Sequence, residues 1–339
     1  MPRRPVDWKA EALKLPGARA ARPSSVPPTP QLARLATAPP AGAEWLHELK
    51  LDGYRILSTV TAGSARLWSR NAIEWTAKLP KVTAAIEALG LTSATFDGEL
   101  VAGQGTQADF NLLQATLSGE RKGSLRLVMF DLLHLDGVDL TKAALLDRKD
   151  LLRKVLSSPA KTLAFSSHVV GNGAAAFAVA AEQGFEGIIA KRAAGLYKPG
   201  RGDDWRKAKH IPSEEFAVVG WMPGEGARGQ GVGSLLLATP DADHGWRYVG
   251  RVGSGFTNDL LLRLNRTIGR SGHSEPTAYV PPGKMRDLRS ARWLSPAFVA
   301  EVFLRGVSTQ GVLRQPSLKA LRMDKKPVDL TPFRGGQRP

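Results

Sequence analysis

The residues able to do chemistry in this chain are lysines and carboxylates set beside Asp-Gly pairs. In Glu48-Leu49-Lys50-Leu51-Asp52-Gly53-Tyr54-Arg55 a single lysine sits in an apolar alternation, with Trp45, Leu46, Leu49 and Leu51 as neighbours, and Asp-Gly and an arginine follow at once. Asp52-Gly53 predicts a tight turn between two strands, because this pair tolerates the positive φ that such turns need. A lysine at a strand end beside a turn is held in place, and Lys50 is read as a nucleophile. With an ordinary pKa of about 10.4, an amine costs about 4–5 kcal/mol to be neutral at pH 7, so a nucleophilic lysine needs desolvation or nearby cations. By itself the pattern more often marks a solvated lysine in an ordinary hairpin.

Other groups of the same kind recur at strand ends. A strand from Ala94 runs into Asp97-Gly98-Glu99, a second expected Asp-Gly turn with a carboxylate beyond it. Glu186 stands at the mouth of the apolar run Gly187-Ile188-Ile189-Ala190, which exits into Lys191-Arg192. In Trp205-Arg206-Lys207-Ala208-Lys209 the period of a strand places Trp205, Lys207 and Lys209 on one face. Ser69-Arg70-Asn71 closes another strand, and the nearly unbroken apolar run Leu125 to Leu133, carrying Phe130-Asp131, predicts a buried strand. The six histidines form no H-E-x-x-H pair, and the absence of cysteine excludes disulfides, thiolate zinc sites and cysteine nucleophiles. The glycine-rich stretch 224–233 lacks the Lys-Ser/Thr of a phosphate loop and reads as a long flexible hairpin.

The elements that must position these groups alternate along the chain. Residues 1–30, rich in Pro, Arg and Ala, read as a flexible basic arm. From 31 to 210 strands at 55–60 and 65–69 join through Ala62-Gly63, and helical spacing appears over 79–89, 109–117 (capped by Asp109), 147–156 and 174–183. Ile211-Pro212-Ser213 reads as a hinge. From 211 to 339 the pattern turns to short strands at 215–221, 234–238, 246–252, 298–304 and 311–315 with one helix at 258–268, which suggests a small Greek-key barrel of the OB type.

The chain has 339 residues, enough for two domains, and a formal net charge of +16. That charge implies a polyanionic partner, nucleic acid before an anionic membrane, since neither a basic amphipathic helix nor a long apolar run is present. The N-terminus lacks the apolar region of a secretory signal, so a cytoplasmic, nucleoid-associated protein is expected.

Taken in order, Lys50-Leu51-Asp52-Gly53-Tyr54-Arg55, Ser69-Arg70-Asn71, Asp97-Gly98-Glu99, Phe130-Asp131, Glu186-Gly187-Ile188-Ile189-Ala190-Lys191, Trp205-Arg206-Lys207-Ala208-Lys209 and Arg322-Met323-Asp324-Lys325 resemble the nucleotidyltransferase motifs of ATP-dependent DNA ligases. The resemblance runs from about residue 30 to 330. It is nearest to the ligase domain of bacterial ligase D, the end-joining type, through Pro39-Pro40-Ala41-Gly42, Arg66 to Asn71, Tyr248 to Phe256 and Arg314-Gln315-Pro316-Ser317. Leu318 stands where those relatives usually carry an aromatic. The polymerase and phosphoesterase modules of full-length ligase D have no counterpart in this sequence. The NAD-dependent ligases use a four-cysteine zinc finger that a chain without cysteine cannot build.

The resemblance implies an α+β protein: a nucleotidyltransferase domain of antiparallel sheets flanked by helices, followed by an OB-fold β-barrel domain. It implies ATP as cofactor with Mg2+ or Mn2+, and nicked double-stranded DNA as substrate. It gives Lys50 the attack on the α-phosphate of ATP, Glu48 the acceptance of the adenine amine, and Phe130 the stacking on the base. Arg55 and Arg70 would meet ribose and phosphates, Glu99 and Glu186 the metal and the ribose, and Arg201, Lys207 and Lys209 the α-phosphate. Arg322 and Lys325 would orient the departing pyrophosphate. A monomer is expected, with a Ku-like protein or a separate polymerase or nuclease as conceivable partners. The rivals are an RNA ligase or capping guanylyltransferase sharing the covalent lysine, and a clamp that keeps the fold without turnover.

Overall fold

The structure is a computed structural model that describes residues 6–210, 213–224, 231–304, 306–308 and 311–333. It divides into two compact units, Met1–His210 and Ile211–Pro339. In chain order the first unit contains the strands β1 (Arg19–Ala20), β2 (Gln31–Ala36), β3 (Trp45–Leu49), β4 (Tyr54–Thr61), β5 (Ser64–Ser69) and β6 (Ser93–Ala102). They are followed by β7 (Leu125–Leu135), β8 (Val138–Asp139), β9 (Leu163–Phe165), β10 (His168–Val170), β11 (Gly187–Arg192) and β12 (Gly200–Lys209). Its helices are α1 (Trp8–Leu13), α2 (Pro80–Glu87), α3 (Gln107–Leu117), α4 (Leu145–Val155) and α5 (Gly173–Glu182).

Two sheets organise this unit. One has the order β1-β8-β7-β6-β4-β5 with β9 beside β7; the other has the order β10-β3-β11-β12-β2. All pairs are antiparallel except β7 with β9 and β12 with β2. Helix α4 packs on β7, α3 on β6, α2 on β5, and α5 on β3 and β11. The expected antiparallel sheets flanked by helices are therefore observed.

Several local expectations are corrected. Neither Asp-Gly pair makes a positive-φ turn: Asp97-Gly98 lies inside β6, and Gly53 and Gly98 both have ordinary backbone angles. These glycines serve close approach instead, since a Cβ at Gly53 would lie 2.1 Å from the Leu100 carbonyl oxygen and one at Gly98 would lie 2.9 Å from that of Val128. Helix α3 begins at Gln107 after Thr106, and Asp109 reaches back to accept from the Thr106 N–H (3.3 Å) and hydroxyl (2.9 Å) rather than standing at the cap. The expected arm is not extended throughout. Asp7 caps α1, Ala12 is fully buried, β1 pairs with β8, and Arg19 donates to Asp139 at 2.8 Å. A short apolar stripe and one arginine with two donors on a single carboxylate oxygen are enough to dock a segment whose composition reads as solvated.

The second unit contains β13 (Ser213–Pro223), β14 (Val232–Asp241), β15 (Gly245–Val252), α6 (Asn258–Thr267), β16 (Arg292–Phe303), β17 (Gly306–Val307), β18 (Leu313–Arg314) and β19 (Ser317–Arg322). Its main sheet is antiparallel with the order β15-β14-β13-β16-β19. It curls around Phe216, Val218, Leu235, Leu237, Val249, Val252, Ala300, Val302 and Leu318, with Leu264 of α6 closing one end. The edge strands β15 and β19 are not paired as a ladder among the described residues. The gap is bridged where the Leu318 N–H donates to the Ser254 carbonyl at 2.9 Å. Leu318 itself is a buried member of this core, which is what an aliphatic residue at that position contributes. The expected hinge residues 211 and 212, and residues 225–230 of the glycine-rich stretch, lie outside the described residues. No helix among the described residues is long and apolar enough to cross a membrane.

Candidate active site

Three neighbouring strands of the first unit build the centre of the site. Across β3, β11 and β12, Glu48 pairs with Ile189 and Ile189 with Lys207, while Lys191 pairs with Leu46 and Trp205, so these side chains share one sheet face. The opposite face carries Leu49, Ile188 and Ala208 into a core with Phe185 and Ala180. Lys50 leaves the end of β3 with its N–H on the Gly187 carbonyl at 2.8 Å. That bond aims its side chain at Glu186: Lys50 Nζ lies 2.7 Å from Glu186 Oε2, and Lys209 Nζ lies 3.0 Å from Oε1. The Glu186 carboxylate is buried, and Lys50 keeps 18% side-chain exposure, so it is held yet reachable.

Beside this group lies a buried charge cluster around Glu48. Lys149 of α4 donates to Glu48 Oε1 at 2.5 Å, and Lys191 Nζ is 2.7 Å from Oε2. Burial raises the Glu48 pKa, but Lys149 and Lys191 outweigh it and hold the carboxyl below its ordinary range. Burial pushes Lys191 down to about 8, against the pull of Glu48 in the other direction. The Lys191 ammonium sits over the rings of Phe130 and Trp205, at 4.1 and 4.2 Å from their centroids.

From the other sheet, Arg55 lies 4.6 Å from the Phe130 ring and grips Asp97 with two donors, while Tyr197 donates to Asp97 at 2.7 Å. Burial opposes the charge of Arg55, and Asp97 outweighs it, so the guanidinium is held above its ordinary range. Glu99 pairs directly with Arg55 across β4 and β6. Phe130 sits at an irregularity in β7, between Met129, which pairs with Gly98, and Asp131, which pairs with Asp97. Such a bulge re-aims a side chain, and here it turns Phe130 into the cluster with Leu133, Tyr197 and Trp205.

The structure thus brings Lys50, Glu186 and Lys209 into contact, and links Glu48 to Phe130 through Lys191, with Arg55 on the same Phe130 ring. Lys207 shares their sheet face. Arg201 is exposed at the start of β12, at the end away from Lys209. Arg70 lines a cleft of about 230 Å3 with Ser69, Asn71 and the segment Pro27–Pro30. Arg322 and Lys325 belong to the second unit and are bound within it: Arg322 donates to Asp324 (2.8 and 2.9 Å) and Glu301 (3.1 Å), and Lys325 donates to Glu215.

Sequence reasoning missed Lys149, Lys191, Asp97 and Tyr197 as site residues. A signal for Lys149 existed. Leu145, Arg148, Lys149, Leu152 and Val155 fall on one helical stripe, and two cations on an otherwise apolar stripe announce buried partners, here Asp131 for Arg148 and Glu48 for Lys149.

Residues 30–209 match the family described as ATP dependent DNA ligase domain, and residues 228–325 match the ATP dependent DNA ligase C terminal region. The chain belongs to the ATP-dependent DNA ligase family. It is 36% identical over 315 residues to the multifunctional non-homologous end joining protein LigD of Pseudomonas aeruginosa, covering 91% of this chain and 36% of that protein. It is 32% identical to a DNA ligase of Natronomonas pharaonis over 318 residues, covering 88% of this chain and 56% of that one. A solved structure of mycobacterial DNA ligase D, complexed with ATP and MES, superposes with a TM-score of 0.66 at 33% identity, covering 90% of this chain and 98% of that one. This ligase-family chain therefore spans about a third of the length of the LigD relative and about half that of the archaeal ligase. Its two units correspond in fold to a nucleotidyltransferase domain followed by an OB-type domain.

Proposed function

We propose that this chain seals nicks in duplex DNA at the expense of ATP, with Lys50 as the covalent nucleophile. The observation that carries the reading is the meeting of Lys50 and Lys209 on the single buried carboxylate of Glu186. An attacking amine must be neutral, and a second cation on its counter-ion lightens the cost of giving up the proton. The amine attacks the α-phosphorus of ATP, a P–N bond forms, the α–β bond breaks and pyrophosphate leaves. The adenylyl group then passes to the 5′-phosphate at the nick, and the 3′-hydroxyl attacks that phosphate to close the strand and release AMP. Glu48 accepts from the adenine amine, Phe130 supports the base, Arg55 and Arg70 meet ribose and phosphates, and Lys207 and Lys209 hold the α-phosphate, whereas Arg201, expected beside them, stands at the far end of β12 and is left out of that contact. Arg322 and Lys325 orient pyrophosphate once they exchange their carboxylate partners for it.

Glu99 on β6 and Glu186 in the bend just before β11 offer hard oxygen donors, the kind Mg2+ and Mn2+ take, so they would hold such an ion. When bound it neutralises phosphate charge. The relatives named for non-homologous end joining support a repair or end-joining setting, with a Ku-like protein or separate processing enzymes as partners and the chain acting as a monomer on nicked DNA. The test is intact mass after incubation with Mg2+ and ATP, GTP or NAD in turn. One AMP gained from ATP, lost on Lys50→Ala and discharged by a nicked duplex, is the expected result. No covalent nucleotide on protein first stripped with pyrophosphate would favour a clamp without turnover.

A further inference from the structure

We propose that Lys149 and Lys191 are positioning residues that make the site select adenine over guanine, by holding Glu48 charged and fixed with one lysine on each of its oxygens. This rests on the reading of Glu48 as the acceptor of the adenine amine, and it concerns two residues that reading leaves out.

Lys149 has no donor left for a nucleotide. Its ammonium carries three N–H bonds, and they go to Glu48 Oε1 (2.5 Å), the Ser166 carbonyl (3.0 Å) and the Phe130 carbonyl (3.4 Å). The side chain is fully buried. One group thereby ties the base acceptor on β3 to the backbone of the base-stacking ring on β7, across the two sheets. Lys191 completes the arrangement from β11, 2.7 Å from Glu48 Oε2 and over the Phe130 ring. Each carboxylate oxygen has two lone pairs, so a lysine on each leaves acceptor capacity for a ligand.

The chemistry of selection follows from the charge. At position 6 adenine presents an amine donor and guanine a carbonyl acceptor. An ionised carboxylate only accepts, so it welcomes the first and repels the second. Burial favours a proton on Glu48, and the two lysines oppose it. With one cation removed, Glu48 gains a proton and with it a donor, and the guanine carbonyl becomes acceptable. Sites built to hydrogen-bond one partner reject the mismatched one strongly, so the loss is large enough to measure.

The experiment is single-turnover nucleotidylation of the full chain, followed by intact mass with ATP and with GTP, for wild type, Lys149→Met, Lys149→Arg, Lys191→Met and Glu48→Gln. The expected result is at least a tenfold fall in the ATP:GTP ratio of kcat/KM for Lys149→Met and Lys191→Met, expressed mainly in the KM for ATP, with most of the ratio restored by Lys149→Arg. Glu48→Gln should fall likewise. If Glu48→Gln keeps the wild-type preference, the base-acceptor reading itself fails. If Glu48→Gln loses preference while both lysine-to-methionine variants keep it, the positioning role is overturned and the base reading stands. Thermal melts establish folding, and if Lys149→Met does not fold, Lys191→Met decides by the same ratio.

Discussion

Glu186 is shared by Lys50 and Lys209, so replacing it affects both lysines at once. Glu186→Gln keeps the shape but removes the charge, leaving two cations at a partly buried site; we expect adenylation to slow by at least 100-fold and stability to fall by about 3 kcal/mol, read from a rapid-quench time course and a denaturant melt. An unchanged adenylation rate would remove Glu186 from the site. Gly53 makes a second residue-scale case. Its φ is ordinary, so Gly53→Ala is costly only through the collision of the new Cβ with the Leu100 carbonyl, which pushes β4 and β6 apart beside Lys50. Gly63→Ala has open space but φ +79°, so it carries backbone strain alone, about 1 kcal/mol. Gly53→Ala should therefore cost more stability, about 2–3 kcal/mol, and slow adenylation as well. Equal melting curves for the two alanine variants would refute the close-approach argument.

At the scale of elements, the buried ion network of the second unit makes its own prediction. Glu301 on β16 accepts from Ser213 Oγ (2.8 Å), Lys319 (3.1 Å) and Arg322 (3.1 Å), joining β13, β16 and β19. Glu301→Gln leaves two buried cations short of a counter-charge and should destabilise this unit by about 3–5 kcal/mol, with faster amide exchange confined to residues 213–333. The same network shows what sequence could and could not give. Arg322 and Lys325 were legible as chemistry because an ordered motif carries them, but their partners Glu215 and Glu301 lie far off in the chain and only strand register joins them. The helices were legible because a 3.6-residue apolar stripe is a local pattern. The bulges that turn Phe130 and Leu133 into the site were not, because a run apolar at nearly every position hides the change of phase. Asp-Gly misled twice, since the pair signals a turn through glycine's conformational freedom, whereas here the glycines are needed for their missing Cβ.

For the whole molecule, pH and salt act through different charges. His47, His134 and His168 lie in the first unit, and burial is the first cause lowering the pKa of each. The unfolded chain then binds more protons than the folded one as pH falls below about 6.5, so stability is fully present above that pH and declines beneath it, each histidine adding up to about 1.4 kcal/mol per pH unit. His134 Nε2 accepts from the Gly137 N–H at 3.3 Å, a bond that protonation would break, so His134→Asn should flatten the decline between pH 7 and 5.5 in thermal melts. Salt acts on the surface instead. With 47 Lys and Arg against 31 Asp and Glu, the excess charge cannot all be paired internally, and a duplex offers phosphates along its length. Each phosphate neutralised releases condensed counter-ions and adds about −0.9 to the slope of log affinity against log salt, so five or six contacts give about −5. Binding of a nicked duplex by the Lys50→Ala variant, which separates binding from turnover, should therefore weaken by about 1000-fold from 50 to 200 mM KCl, with little dependence on sequence. Adenylation without DNA should change less than about threefold over that range, because its ions are close-packed and buried from the screening that acts on exposed charge. A DNA slope shallower than about −2 would mean that the basic surface is not where the duplex lies.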